Sequence, residues 1–232
     1  MRTAISLCTT IRNRRFQFEQ TFVENLDALS TYEGVEWIIV DYGSNQGEVE
    51  IYEKAVPPGW VKWIRMEAPY WHVCRAKNAA VQHSSGDIVV NFDADQWLQN
   101  VVDAARKAND DTLVHNWSGV FQTGTCGRIA CTRAMFDSLG GYDESFLPCG
   151  HDDLDLIARA AASGISIEVV NCGPDAALLN SREEAVSDCY VEGLTWEEME
   201  KSNHTRSRWN IGMGILVANS PSSKTPNDSA PK

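Results

Sequence analysis

SSGDIVVNFDAD, residues 84–95, decides the fold. Ser84, Ser85 and Gly86 make a turn, Ile88 to Phe92 form a short run rich in β-branched residues, and two carboxylates, Asp93 and Asp95, follow at once. A short apolar run bounded by a turn and by charge is the pattern of a buried strand with polar groups at its carboxyl end. Upstream, a helix is expected from about Arg75 to Gln82, and VKWIRM (61–66) before it reads as a strand. VEWIIVD (35–41) is another, ending in Asp41 and followed by the turn YGSN. An amphipathic helix from about Phe16 to Leu29 and the strand TAISLCTTI (3–11) complete the alternation. Strands alternating with helices predict an α/β domain, Rossmann-like, with a central, mainly parallel sheet flanked by helices. Right-handed crossovers then place every strand's carboxyl end on one edge, where open sheets bind ligands.

Downstream the alternation loosens. VVDAARKA (101–108) reads as a helix, TLVHNWSGVF (112–121) and GRIACT (127–132) as strands, DDLDLIARAAASG (152–164) as a helix and ISIEVV (165–170) as a strand. REEAVSDCYVEGLTWEEMEKS (182–202) reads as helix with a break at Gly193. The expected organisation is one domain over residues 1–218, then a polar, proline-containing, disordered tail over 219–232.

Composition bounds the function. The chain has 232 residues, 43% hydrophobic and 22% charged, ordinary for a soluble globular domain. A net charge of -12 argues against nucleic acid as a partner, since phosphate neutralisation needs a basic surface. The apolar stretch near Met1 is too short for a transmembrane segment and lacks a signal-peptide cleavage region, which leaves peripheral membrane contact open. Seven cysteines without CxxC spacing fit free thiols in a reducing, cytoplasmic setting.

Four charged clusters fall at strand ends or helix starts. Arg12-Asn13-Arg14 follows the first strand, and Arg75-Ala76-Lys77 opens a helix, where cations oppose the macrodipole unless an anion binds. The alternative for each is solvated surface charge. Asp93-Ala94-Asp95 can reach a hard divalent cation, or one aspartate can simply cap a helix starting near Gln96. Asp152-Asp153-Leu154-Asp155 offers a general base, or an N-cap that suits the helix dipole. His204 is either an exposed histidine or a ligand completing an octahedral metal site. Trp71, Trp117, Trp196 and Trp209 are candidates for stacking on sugar rings or for packing.

Taken in order, these residues resemble the GT-A glycosyltransferases, closest to the β-1,4-galactosyltransferase-like family 7 and the neighbouring family 2. The similarity lies in IRNR (11–14), RAK (75–77), DAD (93–95), GGYDESFLPCGHDDLDLIAR (140–159), and His204-Thr205-Arg206 with Asn210. It spans roughly residues 3–210, and the joint order of the motifs carries it. The resemblance implies that Asp41 lies near the base, that Arg12, Arg14, Arg75 and Lys77 line the nucleotide, and that Asp93 lies near ribose and metal. It makes Asp95 and His204 ligands of Mn2+ (or Mg2+), with His204 on a loop that closes over the donor. Asp153 becomes the catalytic base and Asp152 the acceptor contact. Two positions depart from the family pattern: Asp152 stands where family 7 usually has glutamate, and Lys201 where some members offer a methionine ligand.

The implied activity is inverting, metal-dependent transfer of a hexose or N-acetylhexosamine from a nucleotide diphosphate sugar, UDP above all, to a hydroxyl acceptor. The partners are then the nucleotide-sugar donor and a glycan, lipid-linked or protein-linked acceptor, as in polysaccharide biosynthesis. Two other classes are distinguishable: a non-catalytic nucleotide-sugar or glycan-binding module, and a metal phosphohydrolase suggested by the string His151-Asp152-Asp153.

Overall fold

Hydrophobic residues on both faces of consecutive strands require cover on both sides, and the fold supplies it. In the computed structural model, which describes residues 5–55, 59, 61–173, 175–189 and 193–220, a seven-stranded sheet runs in the order β3-β2-β1-β4-β6-β5-β7. The strands are β1 (Ile5–Ile11), β2 (Val35–Tyr42), β3 (Val61–Met66), β4 (Ile88–Asn91), β5 (Thr112–Trp117), β6 (Ile129–Thr132) and β7 (Ser166–Asn171). Helices α1 (Arg15–Leu29), α2 (Gln46–Ala55), α3 (Val73–Gln82), α4 (Val101–Ala105), α5 (Arg133–Ser138), α6 (Asp152–Ala162), α7 (Arg182–Val186) and α8 (Trp196–Gly212) intervene. The α/β class and the mainly parallel sheet are as the sequence predicts.

Successive side chains of a strand point to opposite faces. Leu7, Trp37, Ile39, Val90 and Val114 pack on one face with Phe18 and Phe22 of α1, Tyr52 of α2 and Val102 of α4. Cys8, Ile38, Val40, Val89 and Leu113 pack on the other with Ala80 of α3, Phe136 of α5 and Leu156 of α6. Truncating any of the larger ones to alanine costs about 2–5 kcal/mol, because rigid neighbours do not close the void.

Register sets the site. Ile11 pairs with Asp41 and Cys8 with Asn91, so the segments after β1, β2 and β4 leave the sheet at one edge. One expectation fails here. β6 runs antiparallel to both β4 and β5, so its carboxyl end lies at the opposite edge and the residues just before it, Gly127-Arg128, meet the ends of the parallel strands. Period-two alternation carries no information about direction, which is why the sequence left this open.

Other boundaries differ as well. TLVHNWSGVF stops being a strand at Trp117 and continues as a loop. Over 182–202 the expected break at Gly193 falls between two helices, α7 and α8, each opened by a capping box: Ser181 with Glu184, and Thr195 with Glu198. α8 runs on through His204, which therefore sits on a helix and not on a loop. Asn219, where a polar tail was expected to begin, donates to the carbonyls of Gly140 and Tyr142; residues 221–232 of that tail lie outside the described residues.

Candidate active site

A cleft of about 1110 Å3 lies along the shared edge, walled by the segments after β1 and β4, the start of β6, α3, the start of α6 and residues 178–185. Its floor is acidic. Beyond β4 the chain turns rather than entering a helix, for α4 begins only at Val101 with Asn100 before it, so neither Asp93 nor Asp95 is an N-cap. Gln96 holds the turn: its side-chain carbonyl accepts from the Asp93 amide at 3.2 Å, and its amide nitrogen donates to Asp93 Oδ2 at 3.1 Å. Behind Gln96 lies Arg128, 0% exposed, donating to Gln96 Oε1 at 3.1 Å and to the carbonyls of Trp97 and Ala176 at 2.6 Å each.

Asp95 accepts from Asn180 Nδ2 at 2.5 Å through one oxygen, while the other, Oδ1, is buried without a partner. Burial, then the charge of Asp93, push its carboxyl up to about 7 against the pull of Arg128 and Arg14. A buried oxygen with nothing to bind, in a carboxylate pair at a cleft floor, suits a hard divalent cation. Among the described residues no group of three or more His, Cys, Asp or Glu side chains is gathered for a metal. Protein ligation would therefore be partial, leaving positions for donor oxygens and water.

The second acidic group enters from α6. His151, with φ 66°, precedes the helix in the left-handed region and its side chain caps nothing, so the capping reading fails for Asp152 and Asp153 as well. Gly150, φ 88°, shares this turn, and a Cβ there would fall 2.9 Å from Glu200 Cβ. The turn delivers Asp152 and Asp153 onto Lys77 of α3, whose Nζ lies 2.6 Å from Asp152 Oδ2 and 2.6 Å from Asp153 Oδ1. Burial and the adjacent Asp152 push the Asp153 carboxyl up to about 7, with Lys77 opposing and Asp93 adding. Gly127 separates the two groups: a Cβ built on it would lie 2.8 Å from Asp93 Oδ2 and 3.0 Å from Asp153 Oδ2. The two acids thus face one small space that only glycine leaves open.

The expected cations divide. Arg12 and Arg14 line the cleft. Arg12 spends its donors on the carbonyls of Tyr42, Ala68 and Pro69, at 3.0, 2.8 and 3.2 Å, tying the ends of β2 and β3 together. Arg14 donates to the Glu184 carbonyl at 2.6 Å, and both arginines lie within 4 Å of Asp188, at 3.7 and 3.8 Å. Lys77 is in the wall but committed to carboxylates. Arg75 turns away from the cleft, its guanidinium near Tyr70 at 3.2 Å and Glu144 at 3.8 Å. Asp41 is fully buried beside the cleft, one oxygen accepting from the Ser44 amide at 2.9 Å and the other unpartnered.

His204 is not brought to Asp95. It is exposed on α8, its ring 4.6 Å from that of His151, and it is His151 that lines the cleft. Of the tryptophans, Trp71 and Trp196 line the cleft; Arg182 covers the Trp196 ring at 4.2 Å, while Trp117 stacks on His115 at 4.9 Å. Sequence reasoning missed Gln96, Gly127, Arg128 and Asn180. Arg128 did carry a signal, a charge placed directly before the short strand IACT.

A carboxylate pair after a parallel strand, a second pair at the start of a helix across the cleft, and arginines after the first strand define a glycosyltransferase of the GT-A type. Glycosyl transferase family 2 matches residues 6–127, and a model described as the N-terminal domain of galactosyltransferase matches residues 114–180. The chain belongs to glycosyl transferase family 2. No curated protein matches it. Among solved structures it is similar to glucosyl-3-phosphoglycerate synthase from Mycobacterium tuberculosis in complex with Mn2+, UDP and glucosyl-3-phosphoglycerate (TM-score 0.63, 16% identity, 94% of this chain and 82% of that). It is likewise similar to the mannosyltransferase PcManGT from Pyrobaculum calidifontis in complex with GDP-Man and Mn2+ (TM-score 0.56, 16% identity, 96% and 78%). A third is TarS of S. aureus in complex with UDP (TM-score 0.59, 17% identity, 94% and 67%). At these identities the likeness speaks for the fold. No helix among the described residues is long and apolar enough to cross a membrane.

Proposed function

We propose that the protein transfers a hexose or N-acetylhexosamine, with inversion, from a nucleotide diphosphate sugar, UDP in the first instance, to a hydroxyl of a glycan or glycoconjugate. The observation that carries this reading is the placement of Asp153 across Gly127 from Asp93, with its carboxyl raised to about 7. A base poised near neutrality, a short step from the group expected beside the donor ribose, is what direct displacement requires. Asp153 Oδ2 takes the proton of the acceptor hydroxyl as the hydroxyl oxygen bonds to the anomeric carbon, and the bond from that carbon to the diphosphate oxygen breaks. No covalent enzyme intermediate is needed. Asp152 contacts the acceptor, Asp41 and Arg14 hold the nucleotide, and Arg12 fixes the wall beside them through the carbonyls of Tyr42, Ala68 and Pro69. Asp95 would hold Mn2+ or Mg2+, and the cation would supply positive charge against the charge growing on the departing diphosphate. Neighbours holding Mn2+ with UDP or GDP-Man support a divalent cation and a nucleotide diphosphate donor.

The test is a panel of nucleotide sugars with glycan and glycoconjugate acceptors, each with Mn2+ and with EDTA. Transfer is expected only with the cation, and Asp95→Ala should lose both cation and donor affinity. Undiminished transfer by Asp95→Ala in EDTA would overturn the metal assignment.

A further inference from the structure

Lys77 belongs to a motif expected to contact the donor nucleotide, yet its geometry points elsewhere. α3 buries Cys74, Ala76, Lys77 and Asn78 together, and the Lys77 side chain is 4% exposed. An ammonium has three N–H bonds. Two are taken by Asp152 Oδ2 and Asp153 Oδ1, and the ammonium lies 5.0 Å from the centre of the Tyr142 ring. That ring is fixed from the same helix: Asn78 donates to the Tyr142 carbonyl at 2.9 Å and accepts from its amide at 2.9 Å. A phosphate reaching Lys77 would have to displace a carboxylate from a buried ion pair.

We propose that Lys77 is the positioning residue for Asp153: it holds Oδ1, separates the charge of Asp153 from that of Asp152, and leaves Oδ2 turned to the space beside Gly127 as the proton-accepting oxygen. This rests on the reading of Asp153 as base. The titratable groups around Asp153 come from four directions: Asp152 on α6, Lys77 on α3, Asp93 after β4, and Cys126 before β6. Tyr142 stands behind Lys77 and stays protonated through burial. Lys77 is the cation in that set, so its removal leaves adjacent carboxylates sharing protons.

The experiment compares Lys77→Met, Lys77→Arg and the double variant Lys77→Met/Asp152→Asn with the parent. It measures the pH profile of kcat at saturating donor and acceptor, the affinity for UDP with Mn2+ by calorimetry, and Tm. Lys77→Met is expected to lower kcat by about tenfold or more and to move the acid limb up by about one pH unit or more, with UDP affinity within about twofold. Lys77→Arg should retain part of kcat. The double variant removes the cation together with the neighbouring carboxylate, so its acid limb should return toward the parent's. It also keeps the question answerable if Lys77→Met does not fold. A tenfold loss of UDP affinity with an unmoved acid limb would make Lys77 a phosphate ligand and overturn the proposal. If Asp153→Asn keeps more than a tenth of parental turnover, the base assignment fails first, and that result is independent of the lysine variants.

Discussion

The sheet buries carboxylates at both of its edges, and the two edges treat them in opposite ways. At the amino-terminal edge, Glu36 at the start of β2 is bonded on both oxygens: Ser6 Oγ at 2.7 Å, the Ser85 amide at 2.5 Å, Ser85 Oγ at 3.0 Å and Lys62 at 2.8 Å. Burial pushes its carboxyl up, but these donors outweigh it and bring it down to about 2. At the carboxyl-terminal edge, Asp95 keeps an unpartnered oxygen, and both Asp95 and Asp153 are raised to about 7, by burial first and by a neighbouring aspartate second. Donors complete at one edge make scaffold; donors withheld at the other leave capacity for a cation, a proton and substrates.

The largest expected effect breaks the comparison at its functional end. Asp153→Asn keeps the shape but not the basicity, so initial transfer rates at saturating donor and Mn2+ should fall by about 10²–10⁴ while Tm does not drop. A variant retaining more than a tenth of the parental rate would move the base to Asp152 or Asp155.

Glu36→Gln should do the reverse, costing about 2 kcal/mol with turnover near the parent's, because charge-assisted hydrogen bonds are lost in a buried place. The Glu36 carboxyl falls from its ordinary 4.5 to about 2, so the stability it contributes is present above 4.5 and is lost as pH falls toward 2. The Tm deficit of the variant should therefore close across that window. A deficit that does not change with pH would show that packing, not charge, is what the glutamate supplies.

The smallest effect is at Asp95, and its sign is opposite. The Asp95 carboxyl rises from 3.8 to about 7, so the metal-free chain gains stability from it at acid pH and loses that gain as pH rises through about 7. Asp95→Asn in EDTA should raise Tm at pH 8 by about 2–4 °C, the equivalent of ~1 kcal/mol, and change it little at pH 4. A lower Tm at pH 8 would mean that Asn180 and the nearby arginines already balance this carboxylate.

Much of this asymmetry is legible in the amino-acid sequence. Runs such as VEWIIV and DIVVNF, apolar on both faces, require a covered parallel sheet, and acids directly after such runs fall on its carboxyl edge. Asp93, Asp95, Asp152 and Asp153 converge as that pattern implies. What stays hidden depends on partners distant in sequence. The carbonyls that occupy Arg12 belong to residues 42, 68 and 69, and only the folded chain shows Lys77 reaching Asp152 and Asp153. The reversal of β6 hides Gly127 and Arg128 inside what reads as an ordinary short strand. His204 is a different case. The sequence TWEE at 195–198 is a capping box and announces a helix, and following it through residue 204 would have placed the histidine correctly.

The reversed strand also sets where the chain tolerates added length. β5 and β6 are joined at the cleft edge and share the pairs Val114 with Ala130 and His115 with Ile129, while Phe121, Gln122 and Gly124 of their connection line the cleft. Insertions there lengthen a surface excursion, for which doubling the loop costs only about 0.6 kcal/mol. A single residue inserted between Ile88 and Asp93 would instead turn every following side chain to the other face and take the acids out of reach. Residues 118–126 can therefore change in length at little cost, while the short strand beside them is held to its length.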